Sequence, residues 1–297
     1  MKLPDFLKST DQKLQKAVLA FANAAREIET KIRTAATGKA GSKNDFGEEQ
    51  LALDILADRT IFAELKKSKV VAIASSEEQS IEIELNKTGE FAAAFDPLDG
   101  SSLVDVNLAV GTIFGIWRGQ GLLGKTGRDL VAAGYAIYGP RTSFVIALDN
   151  NPAEFTLQKN GDWKMTAAKL EIREGKMFAP GNLRACAENK EYLALLDFWA
   201  ENGYQLRYSG GMVPDIHQIL VKGKGIFSYP GSPSCPAKLR LVYECAPLAY
   251  LVEKAGGASS DLEKSILDQE IQNLEQRTAI ALGSKEEVDR FEKFLRV

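Results

Sequence analysis

The chain has 297 residues, of which 45% are hydrophobic, and its 37 basic and 40 acidic side chains give a formal net charge of −3. This length predicts one large domain or two ordinary ones, with a sizeable core. The balanced charge argues against a protein that binds nucleic acid or an anionic membrane, because such proteins carry a basic excess. An anionic substrate would therefore need a local cluster of bases, or metal ions.

The cysteines and the histidine restrict the chemistry further. Cys186, Cys235 and Cys245 form neither a CxxC pair nor a zinc-ligand spacing, and they are too few for a disulfide framework. We therefore expect a reducing compartment, the cytoplasm, or a plastid if a transit peptide has been removed. His217 is the single histidine, which excludes a site with several imidazole ligands. The sequence has no apolar run of the roughly 18 residues needed for a membrane span, and it starts without an apolar signal core.

Apolar periodicity predicts two helices near the start. Apolar residues from Leu14 to Ile32 recur at steps of three and four, which is typical of an amphipathic helix, and Ser9 with Gln12 predicts a capping-box start. The small, polar segment from Thr34 to Gly47 predicts a long surface loop. Periodicity then resumes at Leu51 and predicts the second helix.

Two short apolar runs, Val70–Ala74 and Phe91–Phe95, predict buried strands. Ser75-Ser76-Glu77-Glu78 follows the first, and Asp96-Pro97-Leu98-Asp99-Gly100-Ser101-Ser102 follows the second. Ends of strands are where α/β proteins place their ligand sites. The sequence thus predicts carboxylates at two neighbouring strand ends.

The remaining chain mixes strands and helices, so the predicted fold class is α/β or mixed α+β. Pro247 suits the first turn of a helix over Leu248–Ala255, and Gly256 suits its end. Ser284 with Glu287 predicts a capping box on the last helix. The other segments with an apolar or helical pattern are Val110–Trp117, Leu130–Tyr138, Thr142–Leu148, Lys176–Ala179, Tyr192–Ala200, Ile216–Val221, Gly225–Tyr229, Leu239–Tyr243 and Thr278–Leu282.

The acidic strand ends are suited to a metal site. If the strands are neighbours, Glu77, Glu78, Asp96 and Asp99 share one mouth and raise one another's pKa values. Mg²⁺ and Mn²⁺ take oxygen ligands and would relieve this repulsion. The glycine and serines that follow, residues 100–102, would present backbone amides to an anion. Carboxylates beside such amides favour metal-assisted phosphoryl transfer to water.

Each motif alone has a plainer explanation. Glu77-Glu78 fits a solvated surface, since charged residues usually face water. Asp96-Pro97-Leu98-Asp99-Gly100 fits an ordinary turn, because Asp, Pro and Gly all favour turns. The apolar strand before the second motif and the two serines after it favour a functional site.

These motifs resemble the signature of the fructose-1,6-bisphosphatase (class 1) family. The resemblance is carried by FDPLDGSS with VGTIFGIW, and by LDILAD, SEE and KLRLVYECAPLAYLVEKAGG, which occur in the family's order. It spans nearly the whole chain. Three segments, FGEEQLALD, KMFAPGNLRA and RYSGGMVPDIHQI, are more similar to its sedoheptulose-bisphosphatase branch.

The resemblance implies a layered αβαβα sugar-phosphatase fold in two halves. Residues 1–172 would form the metal-binding and catalytic half, and residues 173–297 the half that binds the sugar phosphate. The implied activity is metal-dependent hydrolysis of the 1-phosphate of a ketose bisphosphate in carbohydrate metabolism. The expected substrate is sedoheptulose 1,7-bisphosphate, with fructose 1,6-bisphosphate or dual specificity as the alternative. Two or three Mg²⁺ or Mn²⁺ ions per subunit and a homo-oligomer, a dimer or tetramer, are also implied.

The resemblance assigns roles to individual residues. Asp54 and Glu78 match the pair that orients and deprotonates the attacking water, and Arg207 matches an arginine that reaches into a neighbouring subunit's site. The implied metal ligands are Glu48, Glu77, Asp96, the carbonyl of Leu98, Asp99 and Glu244. The implied substrate-binding residues are Gly100, Ser101 and Ser102 for the departing phosphate, and Asn182, Arg184, Arg207, Tyr208, Gly210, Met212, Tyr229 and Lys238 for the sugar and the far phosphate.

The chain departs from the family pattern in three places. Ala185, beside Arg184, stands where fructose bisphosphatases usually carry a tyrosine, and it predicts more room for a longer sugar. Glu90 and Phe91 replace a Lys-Tyr pair of the nucleotide-inhibitor site, which predicts that AMP does not inhibit. Thr37 and Ser42 replace the regulatory cysteines of the plant loop, which predicts no dithiol activation through that loop.

Other interpretations compete with this one. Gly119–Thr126 matches the P-loop pattern, but a P-loop needs a helix that begins at Lys125-Thr126, and Gly127 argues for a hairpin loop instead. An inositol-phosphatase-like enzyme shares the DPxDG motif, and a non-catalytic binding protein is a third class. His217 is expected to be a structural hydrogen-bonding residue. Arg240, in an alternating segment, is expected on an exposed strand face.

Overall fold

The computed structural model describes residues 1–34, 39–43, 49–79 and 81–296. Within this part of the chain, none of the helices has the length and apolarity needed to cross a membrane. The α-helices are α1 (Leu3–Phe6), α2 (Gln12–Ile32), α3 (Ala52–Ser68), α4 (Lys190–Glu201), α5 (Met212–Lys222), α6 (Ala246–Lys254) and α7 (Lys285–Leu295).

The described strands form a hairpin and two larger sheets. The hairpin pairs β1 with β2, the eight-stranded sheet has the order β10-β9-β8-β7-β6-β5-β3-β4, and the five-stranded sheet has the order β12-β11-β13-β15-β14. The strands are β1 (Lys39–Lys43), β2 (Glu49–Leu51), β3 (Val71–Ser76), β4 (Ile83–Glu84), β5 (Phe91–Asp99), β6 (Val110–Arg118), β7 (Leu130–Tyr138), β8 (Thr142–Ala147), β9 (Ala153–Leu157), β10 (Trp163–Ala167), β11 (Met177–Pro180), β12 (Gln205–Leu206), β13 (Ile226–Tyr229), β14 (Ala258–Ser260) and β15 (Ile280–Gly283).

Helices and sheets alternate in five layers. Helices α2 and α3 pack on one face of the large sheet, where the Phe21 and Phe114 rings stack with centroids 4.2 Å apart. Helices α5 and α6 lie between the two sheets and bury the largest apolar cluster. Helices α4 and α7 cover the outer face of the small sheet around Trp199 and Phe291. The predicted α/β class and the αβαβα layering are confirmed.

Two predicted capping boxes are wrong. Helix α2 is capped by Asp11, whose carboxylate accepts from the amides of Lys13 and Leu14, while Ser9 lies in a preceding 3₁₀ turn. A carboxylate that binds two amides at a helix N-terminus is a stronger acceptor than a hydroxyl, because the helix dipole also favours its charge.

The second box, on α7, has Ser284 at the capping position but lacks both side-chain bonds within the described residues. The Glu287 carboxylate instead accepts from the Trp199 indole at 2.8 Å and from the Tyr204 hydroxyl at 2.6 Å. The Glu287 side chain therefore joins α7 to α4 and to the loop that follows α4.

The segment before α6 differs from the predicted strand. Residues Leu241–Cys245 form a single π-helical turn, and Arg240 before it is buried, so the prediction of an exposed strand face is wrong. Single π-turns are frequent at functional sites, because the extra residue redirects neighbouring side chains. Helix α6 itself begins as expected, with Pro247 in its first turn, and Gly256 follows its end at φ +89°.

The segment that matched the P-loop is a loop between two antiparallel strands. The chain from Lys125 to Gly127 enters a three-residue 3₁₀ turn capped by Thr126, and β7 follows at once. Gly124 and Lys125 exchange backbone bonds with Ile271, at 2.9 and 2.7 Å. The P-loop interpretation is wrong because no helix begins at the Lys-Thr pair of this described segment.

His217 has a structural hydrogen bond, as expected. Its Nδ1 lies 2.9 Å from the Tyr135 hydroxyl, and burial lowers the pKa of the imidazole. The predicted Thr34–Gly47 loop falls largely on residues 35–38 and 44–48, outside the described part, but Lys39–Lys43 within it forms β1. Thr37 belongs to the part that is not described.

Candidate active site

The ends of β3 and β5 lie side by side, as the sequence predicts. The two strands are parallel, with Ser76 opposite Phe95, and the Glu77 amide donates to the Phe95 carbonyl at 3.0 Å. This pairing brings Glu77 to the strand end that carries Asp96. The pKa of Asp96 is raised well above its usual value, first by burial and then by the charges of Glu77, Asp99 and Glu244.

Three buried carboxylates converge at this edge. Asp96, Asp99 and Glu244 each offer an oxygen, and these oxygens lie within 4.8 Å of one another. The residues are only 5%, 7% and 6% exposed. Buried like charges so close together are costly unless a cation or protons compensate them. An all-oxygen donor set of this kind fits a hard divalent ion such as Mg²⁺ or Mn²⁺.

Asp99 connects the large sheet to helix α5. Its two carboxylate oxygens accept from the backbone amides of Met212, at 3.0 Å, and Val213, at 2.6 Å, in the first turn of the helix. These bonds satisfy amides that have no partner within a helix. They lower the pKa of Asp99, but burial outweighs them and raises it to about 7.

The π-turn delivers Glu244 to the cluster. The Arg240 amide donates to Glu244 Oε2 at 2.6 Å, and burial and then Glu77 raise the pKa of Glu244 well above its usual value. The Arg240 guanidinium forms an ion pair with Glu77. The adjacent Tyr243 hydroxyl lies 2.8 Å from Ser75 Oγ on β3. The turn therefore contacts the end of β3 at two points.

The remaining predicted ligands and catalytic residues lie around this edge. Leu98 is buried in β5, and its amide donates to Asp96 Oδ1 at 2.9 Å. Asp54 is buried in the first turn of α3, which packs on β3 and β5. Glu78 is half-buried on the turn after β3, and its amide donates to Ser76 Oγ at 3.2 Å. The predicted ligand Glu48 lies outside the described residues.

Gly100 begins the predicted phosphate cradle. It has φ +74°, a left-handed conformation that favours glycine, and the 3₁₀ helix Ser101–Val106 follows. The first intrahelical bond runs from the Leu103 amide to the Gly100 carbonyl, at 2.8 Å, so the amides of residues 101 and 102 precede it. A Cβ on Gly100 would lie 3.2 Å from Gly211 Cα, which shows how closely the cradle approaches α5.

The two predicted tyrosines lie near the acidic cluster. Tyr208 remains 44% exposed, and partial burial and then the charges of Asp215, Tyr229 and Asp99 raise the pKa of its hydroxyl. Burial also raises the pKa of Tyr229, and Glu244 adds to this effect. Gly181 makes room for the Tyr229 ring, because a Cβ there would lie 2.4 Å from it. The two tyrosines are thus close enough to the carboxylates for their charges to interact.

Gly210 and Met212 lie where the loop before α5 meets the cradle. Gly210 has φ +100°, and a Cβ on it would contact the Leu103 side chain at 3.6 Å. Met212 is the first residue of α5, and its side chain is buried.

The predicted phosphate-binding side chains differ in exposure. Asn182 is buried with φ +50°, and its Nδ2 donates to the carbonyls of Pro230, at 2.8 Å, and Cys235, at 2.9 Å. The amide group therefore braces the loop after β13. Arg184, Arg207 and Lys238 are exposed and hence accessible to a solvated anion.

Ala185 does not provide the room predicted for it. The residue is fully buried in the 3₁₀ turn Leu183–Ala187, and its amide donates to the Asn182 carbonyl at 2.9 Å. Its methyl group is packed and does not face an open pocket. Arg184 is the member of this pair that bears on the site, since its charge lowers the pKa of Tyr229.

Three basic residues were missed or misjudged from the sequence. Arg240 was assigned to the surface, yet it is 2% exposed and contacts Glu77. Arg277 forms a β-bridge with Arg240, and its charge lowers the pKa of Tyr229. Lys13 pairs with Glu90. The Lys-Leu-Arg spacing beside Glu244 was a usable signal for Arg240, whereas Arg277 stands in no motif.

Glu90, at the position expected for the nucleotide-inhibitor site, contacts two basic side chains. It forms an ion pair with Lys13 of α2, and its other oxygen lies 4.0 Å from an Arg118 nitrogen. These two basic side chains, which are themselves largely exposed, offset part of the charge of Glu90. That AMP does not inhibit stays a prediction, because an acid at this position repels a phosphate that a lysine would attract.

Comparison with known proteins agrees with this geometry. The fructose-1-6-bisphosphatase N-terminal domain family matches residues 5–168, and the corresponding C-terminal domain family matches residues 172–296. Together they cover almost the whole chain in the expected order.

Individual relatives match over similar lengths. The chain is 50% identical over 299 residues to the chloroplastic sedoheptulose-1,7-bisphosphatase of Spinacia oleracea, covering 99% of this chain and 77% of that one. It is 46% identical over 281 residues to the class 1 fructose-1,6-bisphosphatase of Trichlorobacter lovleyi, covering 93% and 88%. The crystal structure of Leishmania major fructose-1,6-bisphosphatase in holo form superposes with a TM-score of 0.94 at 32% identity, covering 100% and 99%. The chain therefore belongs to the fructose-1,6-bisphosphatase family.

Proposed function

We propose that the chain hydrolyses the 1-phosphate of a ketose bisphosphate, with sedoheptulose 1,7-bisphosphate preferred over fructose 1,6-bisphosphate. As a family member it is a sugar bisphosphatase, a phosphoric monoester hydrolase. The convergence of Asp96, Asp99 and Glu244 beside the amides of the Gly100 turn carries the proposal. The relatives leave the choice between the two sugars open, since both activities occur in their names.

We propose Mg²⁺ as the metal, with Mn²⁺ as a substitute and two or three ions per subunit. Glu77, Asp96, Asp99, Glu244 and the Leu98 carbonyl would hold these ions. The fit is supported by the raised pKa values of the buried acids, which a cation would lower. When bound, the metal supplies positive charge to the phosphoryl oxygens and favours deprotonation of the attacking water.

The chain's own groups would orient the reactants. Asp54 and Glu78 would hold the attacking water by hydrogen bonds and accept its proton as the phosphorus–oxygen bond to water forms. The amides of Ser101 and Ser102 would bind the phosphoryl oxygens, because the start of a 3₁₀ turn leaves such donors without partners. The sugar alkoxide departs as the bond to phosphorus breaks and takes up a proton from the solvent, while the proton accepted by Asp54 and Glu78 returns to the solvent.

The far end of the substrate would be bound by the C-terminal part. Tyr208 and Tyr229 would contact the sugar and its second phosphate, and Gly210 and Met212 would line the sugar pocket. We also propose that the exposed Arg207 completes the site of a second copy in a dimer or tetramer. The cationic or polar groups assigned to the second phosphate are Asn182, Arg184 and Lys238.

Two further assignments belong to this proposal. Catalysis and most of the metal binding would be functions of residues 1–172, and sugar-phosphate recognition would be a function of residues 173–297. The assignment of metal binding to the first half alone needs correction, because Glu244 of the second half joins Asp96 and Asp99 in the acidic cluster. We propose a reducing compartment, the cytoplasm or a plastid, which suits the free thiols of Cys186, Cys235 and Cys245.

Phosphate release with Mg²⁺ tests the proposal. We expect release from both bisphosphates, faster from sedoheptulose 1,7-bisphosphate, and little from inositol monophosphate. Absence of release from either bisphosphate would contradict the proposal, and release from inositol monophosphate alone would favour the inositol-phosphatase alternative.

A further inference from the structure

Asp58 is a buried acid beside the site for which the sequence suggested no role. It ends the LDILAD segment and lies one helical turn after Asp54 on α3. Residues four apart on a helix share a face, so both carboxylates are directed to the same side of α3. Asp58 is 7% exposed, and an acid so buried is normally bound by a specific partner.

The partners of Asp58 lie on the turn after β3. Gln79 Nε2 donates to Asp58 Oδ2 at 2.9 Å. The Ser76 side chain also interacts with this carboxyl, and both interactions lower the pKa that burial raises. Ser76 and Gln79 are the residues immediately before and after Glu77-Glu78. Asp58 therefore contacts both ends of the segment that carries a proposed metal ligand and a proposed catalytic acid.

The turn also closes on itself. The Gln79 amide donates to the Ser76 carbonyl at 3.0 Å, and the Glu78 amide donates to Ser76 Oγ at 3.2 Å. These bonds fix the shape of the turn, and the bond from the Glu77 amide to the Phe95 carbonyl fixes its start beside β5. The bond from Gln79 to Asp58 joins the end of the turn to α3.

We propose that Asp58 is a positioning residue that fixes the Glu77-Glu78 turn against helix α3. This inference rests on the proposed function. Glu77 would then face the carboxylates at the end of β5. Glu78 would be held beside Asp54, which lies one turn before Asp58 on α3. A carboxylate at this place is chemically apt, because it accepts the hydrogen bond from Gln79 and also interacts with the Ser76 side chain.

The turn needs such an anchor because its charges repel. Glu77 raises the pKa of both Asp96 and Glu244, so these groups resist its approach. The Arg240 ion pair holds Glu77 from the C-terminal side. Asp58 would hold the turn from the side of α3, through the neutral side chains of Ser76 and Gln79. Supporting residues of this kind are often nearly as important as the ligands themselves.

The test compares Asp58→Ala, Gln79→Ala and the double variant. We expect Mn²⁺ affinity, measured by electron paramagnetic resonance without substrate, to fall about 10- to 100-fold in each single variant. The kcat should fall with it, while KM for the sugar bisphosphate changes little, because the far phosphate site is untouched. The double variant should be no worse than the worse single one, since both changes remove one hydrogen bond.

Asp58→Asn and a control separate positioning from simple stability. Asn keeps an acceptor for Gln79, so it should recover most of the Mn²⁺ affinity. Glu154→Ala removes a comparably buried acid on β9, which accepts from Ser143 Oγ at 2.7 Å. It should lower the melting temperature without changing Mn²⁺ affinity.

The outcomes are distinguishable. If Asp58→Ala and Gln79→Ala lose stability as Glu154→Ala does but keep Mn²⁺ affinity and kcat within about threefold of wild type, the positioning role is wrong. If Asp58→Ala does not fold, the Mn²⁺ affinity and kcat of Gln79→Ala decide whether the positioning role is right. If the wild type releases no phosphate from either sugar bisphosphate, the proposed function fails, and the Mn²⁺ measurements still decide the role of Asp58.

Discussion

Arg240 and Glu77 form a largely buried ion pair between the turn after β3 and the π-helical turn before α6. The Arg240 side chain is only 3% exposed. Its backbone amide also donates to Glu244, so one residue contacts two acids of the site. The pair offsets one negative charge of the cluster and joins segments that are far apart in the sequence.

Arg240→Met should destabilise the protein by about 3 kcal/mol in EDTA, because removing one partner of a buried pair leaves the other charge uncompensated. Mg²⁺ should restore part of this loss, since a cation replaces the missing charge. Urea unfolding with and without Mg²⁺ measures both effects. Arg128→Met is the control, because Arg128 pairs with Glu253 and Asp268 at a half-exposed site and should cost below about 1 kcal/mol. An equal loss of unfolding free energy in the two variants would contradict a stabilising role of the buried Arg240–Glu77 pair.

Asp96→Asn should abolish Mg²⁺-dependent phosphate release and leave the fold intact. The substitution removes a buried ligand charge, and metal contributions to such reactions amount to several kcal/mol. Without metal the same variant should melt at a higher temperature than wild type, because one of several repelling acids becomes neutral. A rate above about a tenth of wild type would refute the ligand assignment. The control is Asp105→Asn, at an exposed position on the neighbouring 3₁₀ helix.

The stability of the metal-free protein should fall as the pH rises toward 7. Burial raises the folded-state pKa of Asp99 to about 7, above its unfolded value. Between these two pKa values the folded state binds more protons than the unfolded state, so the free energy of unfolding decreases as pH increases. Above the folded-state pKa, Asp99 is ionised in both states, and its effect on the free energy of unfolding no longer changes with pH. Urea unfolding between pH 4 and 8 in EDTA should show this slope, and Mg²⁺ should flatten it. A stability that rises across this window in EDTA would contradict the prediction.

The sequence predicted the strand ends well because their signals are local. An apolar run followed by Asp96 and Asp99 predicts a buried strand with acids at its end. Parallel pairing of this strand with β3 then brings Glu77 close to Asp96. Arg240 was misjudged because alternation in KLRLVYE also fits a π-turn buried on every side. Ala185 was misjudged because a small residue can be packed tightly, which depends on contacts that sequence spacing does not report.

Lys125→Ala should leave activity unaffected, and neither the wild type nor the variant should bind ATP. Lys125 Nζ contacts the Arg118 carbonyl, and the loop around it is a connection between β6 and β7. Its side chain is therefore part of a hairpin and not of a nucleotide site. Phosphate-release assays and calorimetry with ATP check this. ATP binding by the wild type that is lost in the variant would contradict the hairpin interpretation.

The choice of sugar should depend on Arg184. The phosphate that stays attached discriminates the substrates, because a seven-carbon sugar places it one carbon farther from the cleaved end. Arg184→Ala removes an exposed guanidinium near Tyr229 and should raise KM for sedoheptulose 1,7-bisphosphate about tenfold, with a smaller rise for fructose 1,6-bisphosphate. Ala185→Tyr is a poor test, since a ring at that buried position would overpack the 3₁₀ turn. The control is Arg173→Ala, whose side chain is 82% exposed and pairs with Glu171.

Competition between the two sugars on the wild type should give a higher kcat/KM for the seven-carbon one. Equal or fructose-favouring values, or an equal effect of Arg184→Ala on both substrates, would refute the preference.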